Sequence, residues 1–192
     1  MMRVITGSAK GIKLQTPEGE TTRPTSERAK EALFSMIQFE IEGRRVLDLF
    51  AGSGQLGIEA LSRGARHAVF ADCSKAAVQA VRANLQKTKL QDRAEVFSGD
   101  ALAFLRRGSI EKYDLVFLDP PYALGLVPQA LSLLCGRGLL LPGALLLCET
   151  GSEQDVFGGD ETLKKQFTIR ALKKHGVAYL TLLEYRKVED ET

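Results

Sequence analysis

From Arg44 onward, short apolar runs alternate with stretches whose apolar residues recur every three or four positions. Residues 46–50, 68–71, 94–97, 113–118 and 144–148 read as strands, with helices over 56–63, 75–87, 101–107 and 127–135 between them. Strands this apolar are buried on both faces, which predicts a parallel sheet covered by helices on either side. The expected fold class is α/β, a doubly wound Rossmann-like sheet. Residues 167–173 and 177–185 are two further strand-like runs, separated only by Lys174-His175-Gly176. So short a link forces an antiparallel hairpin, because a parallel return needs a crossover of a dozen or more residues. The sheet is therefore expected to be mostly parallel and to finish in a C-terminal antiparallel hairpin.

Residues 1–42 stand apart as an N-terminal hairpin-helix extension of a core spanning 43–192. Residues 3–6 and 12–15 flank a turn containing Gly7 and Gly11. Thr25 or Ser26 can cap a following helix, in which Ala29, Ala32, Leu33, Met36 and Ile37 form one apolar stripe. With 192 residues, 44% hydrophobic and 26% charged, the chain fits a single globular domain. The apolar stretch 139–148 is broken by Pro142 and Gly143 and is too short to cross a bilayer. No long apolar segment follows Met1, so a cytoplasmic location and no membrane partner are expected. Cys73, Cys135 and Cys148 are odd in number and widely spaced, and His67 and His175 are the only histidines. Neither a disulfide framework nor a metal site is expected.

The net charge of +2 is unevenly spread. Seven Lys or Arg lie between Glu161 and Lys187 against two Glu, and Arg3, Lys10, Lys13, Arg23, Arg28 and Lys30 add a second basic group. Such clusters suit a polyanion, although many Lys-rich stretches are solvated faces.

Gly52-Ser53-Gly54-Gln55-Leu56-Gly57 places G-x-G-x-x-G between a strand and a helix, a turn that lets a nucleotide-like cofactor approach the backbone. Asp72, twenty residues past Gly52, ends the second strand where an acidic side chain would bind ribose hydroxyls. On these features alone a nicotinamide enzyme is an equal reading. Asp48 shifts the balance toward S-adenosylmethionine. A carboxylate inside the first strand suits an ammonium and would oppose a pyrophosphate at the helix N-terminus. Asp100, beyond the third strand, could accept from the adenine amine, or simply cap a helix.

Asp119-Pro120-Pro121-Tyr122 ends the fourth strand and joins the same rim. Consecutive prolines offer no N–H and hold the backbone still, leaving carbonyls to accept. Asp119 and the Pro120 carbonyl can together accept both hydrogens of an exocyclic base amine and aim its lone pair. Tyr122 supplies an aromatic face for an unstacked base. None of the three cysteines follows a proline, so thiolate-based methylation of pyrimidine carbon finds no support.

Taken together, the chain resembles the RsmD family of bacterial 16S ribosomal RNA guanine-N2 methyltransferases, which depend on S-adenosylmethionine. The resemblance rests on Met2-Arg3-Val4-Ile5-Thr6-Gly7, Lys10-Gly11, Arg23-Pro24-Thr25, Arg28, Glu31-Ala32-Leu33-Phe34, the segment from Asp48 to Gly54, Gly57-Ile58-Glu59-Ala60 and Asp119-Pro120-Pro121-Tyr122. It implies a seven-stranded sheet. It also implies a cofactor site of Asp48, Phe50, Gly52, Gly54, Asp72, Cys73, Asp100, Ala101 and Asp119. Asp119, Pro120 and Tyr122 would be catalytic, and Arg23, Thr25, Pro121 and Tyr122 would meet the substrate. The basic hairpin adds Lys173 and Lys174 as RNA contacts. The expected partner is ribosomal RNA or a small-subunit particle, with no protein partner and a monomeric chain. The competing expectation is adenine-N6 methylation of DNA or RNA, since an Asp-Pro-Pro-Tyr segment reads an amine and not a purine edge. A non-catalytic binding module of the same fold is the third, opposed by the intact Asp48 and Asp119.

Overall fold

The computed structural model describes residues 2–17, 27–107, 111–121, 124–152 and 156–186. Strands β1 (Arg45–Leu49), β2 (His67–Asp72), β3 (Ala94–Ser98), β4 (Tyr113–Leu118), β5 (Leu140–Thr150), β6 (Phe167–His175) and β7 (Ala178–Tyr185) make one sheet. Their order is β3-β2-β1-β4-β5-β7-β6. Neighbours from β3 to β5 are parallel, and β7 runs antiparallel to both β5 and β6. The helices are α1 (Glu27–Ser35), α2 (Gln55–Ser62), α3 (Lys75–Thr88), α4 (Ala101–Arg107), α5 (Leu126–Gly136) and α6 (Glu161–Lys165).

Alternation along the strands sorts the core into two layers. Val46, Phe70, Leu115, Phe117, Leu145 and Leu147 pack with Phe34, Ile37, Ile58 and Leu61 on one face. Leu47, Leu49, Val116, Leu118 and Leu146 pack with Leu105, Ala130, Leu131 and Leu134 on the other. The central strands are apolar at nearly every position because both their faces are covered. β3 departs from that expectation: it is an open edge, and none of its five residues is buried.

β5 begins earlier than the apolar run suggests. Leu140 already pairs with Tyr113, and the register then jumps so that Leu145 meets Leu115. The extra residues include Pro142 and Gly143, the latter at φ 76°, so these two form an irregularity within the strand and do not end it. The terminal hairpin is tighter than expected, because His175 pairs with Ala178 across Gly176 and Val177 alone. Gly176 takes φ 64°, as such a turn requires. β6 is the second open edge, and its register slips at Arg170, whose guanidinium reaches Glu40 at 2.9 Å and Glu184 at 3.7 Å. α6 was not legible as a helix; Asp160 starts it by accepting from the Thr162 and Leu163 N–H groups.

The N-terminal extension folds onto the α2 face. Arg3 and Lys13 form a bridge, and Val4, Ala9 and Leu14 are buried. The apolar stripe of α1 is present in part: Leu33 is buried and Ala32 half-buried, while Met36 and the buried Ile37 lie in the turn after Ser35; Phe34, outside the expected stripe, is buried too. Lys30 overturns its expected place in a basic surface group. It is fully buried, donates to the Arg3 carbonyl at 2.6 Å and sits 3.4 Å from Glu59. An ammonium in this position is compensated internally, so it has nothing to offer a polyanion.

Candidate active site

The parallel strands all end at one rim, the usual place for ligands in an open α/β sheet. Asp48 is the deepest polar group there, 2% exposed. Its Oδ2 accepts from the Gly57 N–H at 2.8 Å, tying the end of β1 to the first turn of α2. Gly57 allows this closeness: an added Cβ would lie 2.3 Å from the Phe70 ring and 3.1 Å from Asp48 Oδ2. Burial, followed by the charges of Asp119 and Asp72, pushes the Asp48 carboxyl up to about 8. Three carboxylates thus crowd the ends of β2, β1 and β4, and the most buried one prefers to keep its proton. The arrangement favours a cation.

The turn after β1 is held in an unusual backbone conformation. Phe50 has φ 71°, a left-handed geometry that costs a non-glycine residue on the order of 1–3 kcal/mol. The Phe50 and Ala51 N–H groups both donate to the Ala71 carbonyl at 3.0 Å, which fixes the turn against β2. Gly52 and Gly54 follow at φ 54° and 75°. A Cβ at Gly52 would meet nothing within 4 Å, so the backbone there faces open space. Asp72 spans this turn and the next, accepting from Gly52 N–H and Ser74 N–H at 2.8 Å each. A carboxylate has about four lone-pair sites, so these two bonds leave room for hydroxyl donors.

Asp100 is exposed and caps α4, accepting from the Ala103 N–H at 2.7 Å through one oxygen. Ala101 is buried behind it, and Cys73 is exposed beside Asp72. Asp119 follows the Leu118 position that pairs with Leu49 and Cys148, so it stands between the ends of β1 and β5. It is half-buried, Pro120 is buried and Pro121 is exposed. Asp48 and Asp119 therefore lie on adjacent strands, close enough for the Asp119 charge to bear on Asp48. Lys173 and Lys174 reach the same rim, but three strand positions from β4, roughly 14 Å at ordinary strand spacing. Arg23, Thr25 and Tyr122 lie outside the described residues.

Two polar groups that sequence reasoning missed hold this rim to the N-terminal extension. Glu59 is fully buried and accepts from Ile5 N–H at 2.7 Å, Thr6 N–H at 3.0 Å and Arg63 Nε at 2.8 Å, besides meeting Lys30. Asn84 of α3 accepts from Gln15 N–H and donates to the Gln15 and Ser53 carbonyls. Glu59 entered the sequence reading only as part of the Gly57-Ile58-Glu59-Ala60 string, and the signal for its role is a carboxylate amid the apolar residues of α2. Glu149, at the end of β5, was also passed over; it lines a cleft with Pro120, Pro121, Leu126, Val127 and Thr150.

Residues 2–183 match the family model described as conserved hypothetical protein 95. The ribosomal RNA small subunit methyltransferase D of Haemophilus influenzae is 39% identical over 170 residues, which cover 87% of this chain and 88% of that protein. A putative rRNA methyltransferase, YlbH, of Bacillus subtilis is 40% identical over 81% of this chain and 85% of its own. Among solved structures, the putative methyltransferase yhhF from Escherichia coli superposes with a TM-score of 0.84 at 32% identity, covering 97% of this chain and 99% of that one. Matched over nearly its whole length in sequence and in fold, the chain belongs to the RsmD family of ribosomal RNA methyltransferases.

Proposed function

We propose that this protein transfers a methyl group from S-adenosylmethionine to the exocyclic N2 amine of a guanine in small-subunit ribosomal RNA. The observation that carries the reading is the crowding of Asp48, Asp72 and Asp119 at one rim, beside an open glycine turn and a rigid Asp-Pro-Pro segment. The names of the relatives supply the substrate class.

The residues fit a cofactor that is itself positive. Asp48 would face its ammonium group, and a cation there would offset the burial and the carboxylate repulsion that together keep the Asp48 proton in place. Asp72 would accept from the ribose hydroxyls, with Gly52 keeping the path open and Gly54 letting the turn pack closely on Val81 and Phe70. Phe50, Cys73, Asp100 and Ala101 would border the adenine. When bound, the cofactor supplies an electrophilic methyl on a sulfonium.

The protein's own contribution is to position the amine. Its nitrogen lone pair is delocalised into the base ring, so the free amine is a poor nucleophile. Asp119 and the Pro120 carbonyl would accept its two hydrogens from one side, favouring a pyramidal nitrogen with the lone pair directed outward. The hydrogen bond to Asp119 also gives the departing proton an acceptor. Positioning and fixed electrostatics together supply the rate, with no covalent enzyme intermediate. Tyr122 would stack on the base, and Arg23, Thr25 and Pro121 would border it. Lys173 and Lys174, about 14 Å away, would meet neighbouring phosphates and not the target base.

The test is to map methylated nucleotides in small-subunit ribosomal RNA from cells with and without this protein. Loss of a single N2-methylguanosine is expected. Loss of an N6-methyladenosine instead would overturn the guanine reading.

A further inference from the structure

Asp119 and Pro120 read only an amine, which guanine and adenine both carry; something else must separate the two bases. The neighbouring strand ends in a second carboxylate. Leu118 pairs with Cys148, so Asp119 and Glu149 follow in register on adjacent parallel strands, which ordinarily lie about 4.8 Å apart. Both continue the strand alternation on the α2 face: Phe117 precedes Asp119 by two positions, and Glu149 pairs across β7 with Leu180 of the same layer. Glu149 is half-buried, and the alternation sets it on the same face of the sheet as Asp119. A flat base with its amine at Asp119 would present its ring edge to Glu149 on the next strand.

We infer that Glu149 is the residue that selects guanine, by accepting the ring N1–H that lies next to the N2 amine. This inference rests on the guanine-N2 reading above and names the specificity device of that same site. In guanine the atom adjoining the aminated carbon on the Watson–Crick edge is a donor, N1–H, which a carboxylate can accept. In adenine the corresponding neighbour of the amine carbon is N1 with a lone pair, which would face the Glu149 oxygens without a proton between them. A site built to pair with one donor rejects a ligand lacking it far more strongly than an apolar pocket rejects a misfit. The backbone that carries the carboxylate is held between β4 and β7, which limits how far the group must move to accept.

2-Aminopurine probes this contact, since it keeps the 2-amino group of guanine but has a bare N1; it also lacks O6, so the change of ratio in a Glu149 variant assigns the effect to Glu149. Small-subunit RNA segments carrying guanosine or 2-aminopurine riboside at the mapped position would be compared for kcat/KM, with the methylated nucleoside identified by mass. The wild-type protein is expected to prefer guanosine on the order of 100-fold or more. Glu149→Gln, whose amide can turn its NH2 toward a bare N1, is expected to bring the ratio within about tenfold and to raise the 2-aminopurine rate. Calorimetric binding of S-adenosylmethionine to the variant checks that it folds, and a wild type that uses both bases equally overturns the role even if the variant does not. Equal use of both bases by the wild type, or an unchanged ratio in a folded Glu149→Gln, would overturn the role of Glu149. N2-methylguanosine formed without base preference would remove this inference alone, whereas a different methylated nucleoside would remove the guanine-N2 reading with it.

Discussion

Asp48 carries a pH signature that can be measured without substrate. Its folded-state value of about 8 lies above the ordinary 3.8, so the folded chain binds this proton more tightly than the unfolded chain. The stability it contributes is complete below pH 3.8 and is lost as pH rises through about 8. Asp48→Asn keeps an oxygen for the Gly57 N–H and removes the titration. Its urea midpoint should therefore gain on the wild type steadily from about pH 5 to about pH 8; a constant difference would mean that Asp48 is ionised in the folded protein. Asp119 makes a different demand, because its proposed partner is the reacting amine. Asp119→Ala should lower the single-turnover rate on the order of 100-fold or more while leaving the calorimetric cofactor affinity within about threefold. Unchanged turnover would refute the orienting role.

At the scale of elements, the join between α2 and the N-terminal extension combines the bonds of Ser62 to Thr6, Ser8 and Ala9 with a buried ion pair. Glu59→Gln preserves shape but removes the carboxylate charge that faces the fully buried Lys30 ammonium. A loss of about 3–5 kcal/mol in urea unfolding is expected, because breaking one side of a buried pair exposes the whole desolvation cost of the other. A loss under about 1 kcal/mol would show that the site behaves as a solvated pair. This join also shows where sequence reading stops. The apolar runs of β1, β2 and β4 and the glycine turn were legible because each is a local pattern tied to backbone geometry. Glu59 pairs with residues more than fifty positions away, and nothing in the spacing of charges marks which carboxylate a buried lysine will meet. The left-handed Phe50 was equally hidden, since its conformation is imposed by the two bonds to Ala71 and not by its residue type. The break expected at Pro142-Gly143 was misplaced because parallel pairing with β4 resumes beyond it.

For the whole molecule, topology sets which surfaces share a side. β6 runs in the same direction as β1, so the hairpin tip with Lys173 and Lys174 stands at the rim that holds Asp119. That shared side was anticipated only in part, as a basic hairpin of unknown position. Arg170 and Lys30, counted with the basic residues, are held by Glu40, Glu184 and Glu59, so the surface open to phosphate is narrower than the charge count suggests. Replacing Lys173 and Lys174 together by Glu should weaken RNA binding and reduce the slope of log affinity against log salt by about one to two. An unchanged slope would place the RNA elsewhere.

Among the described residues, β6 leaves nine residues of backbone at an uncovered margin of the sheet, which another extended chain could join. The irregularity at Arg170 and the adjacent pair of ammonium groups discourage such stacking. Those lysines therefore guard against self-association as well as facing the rim. Reversing their sign keeps the margin charged and removes only the attraction for phosphate, whereas truncating them to alanine would strip both protections and confuse weak RNA binding with aggregation.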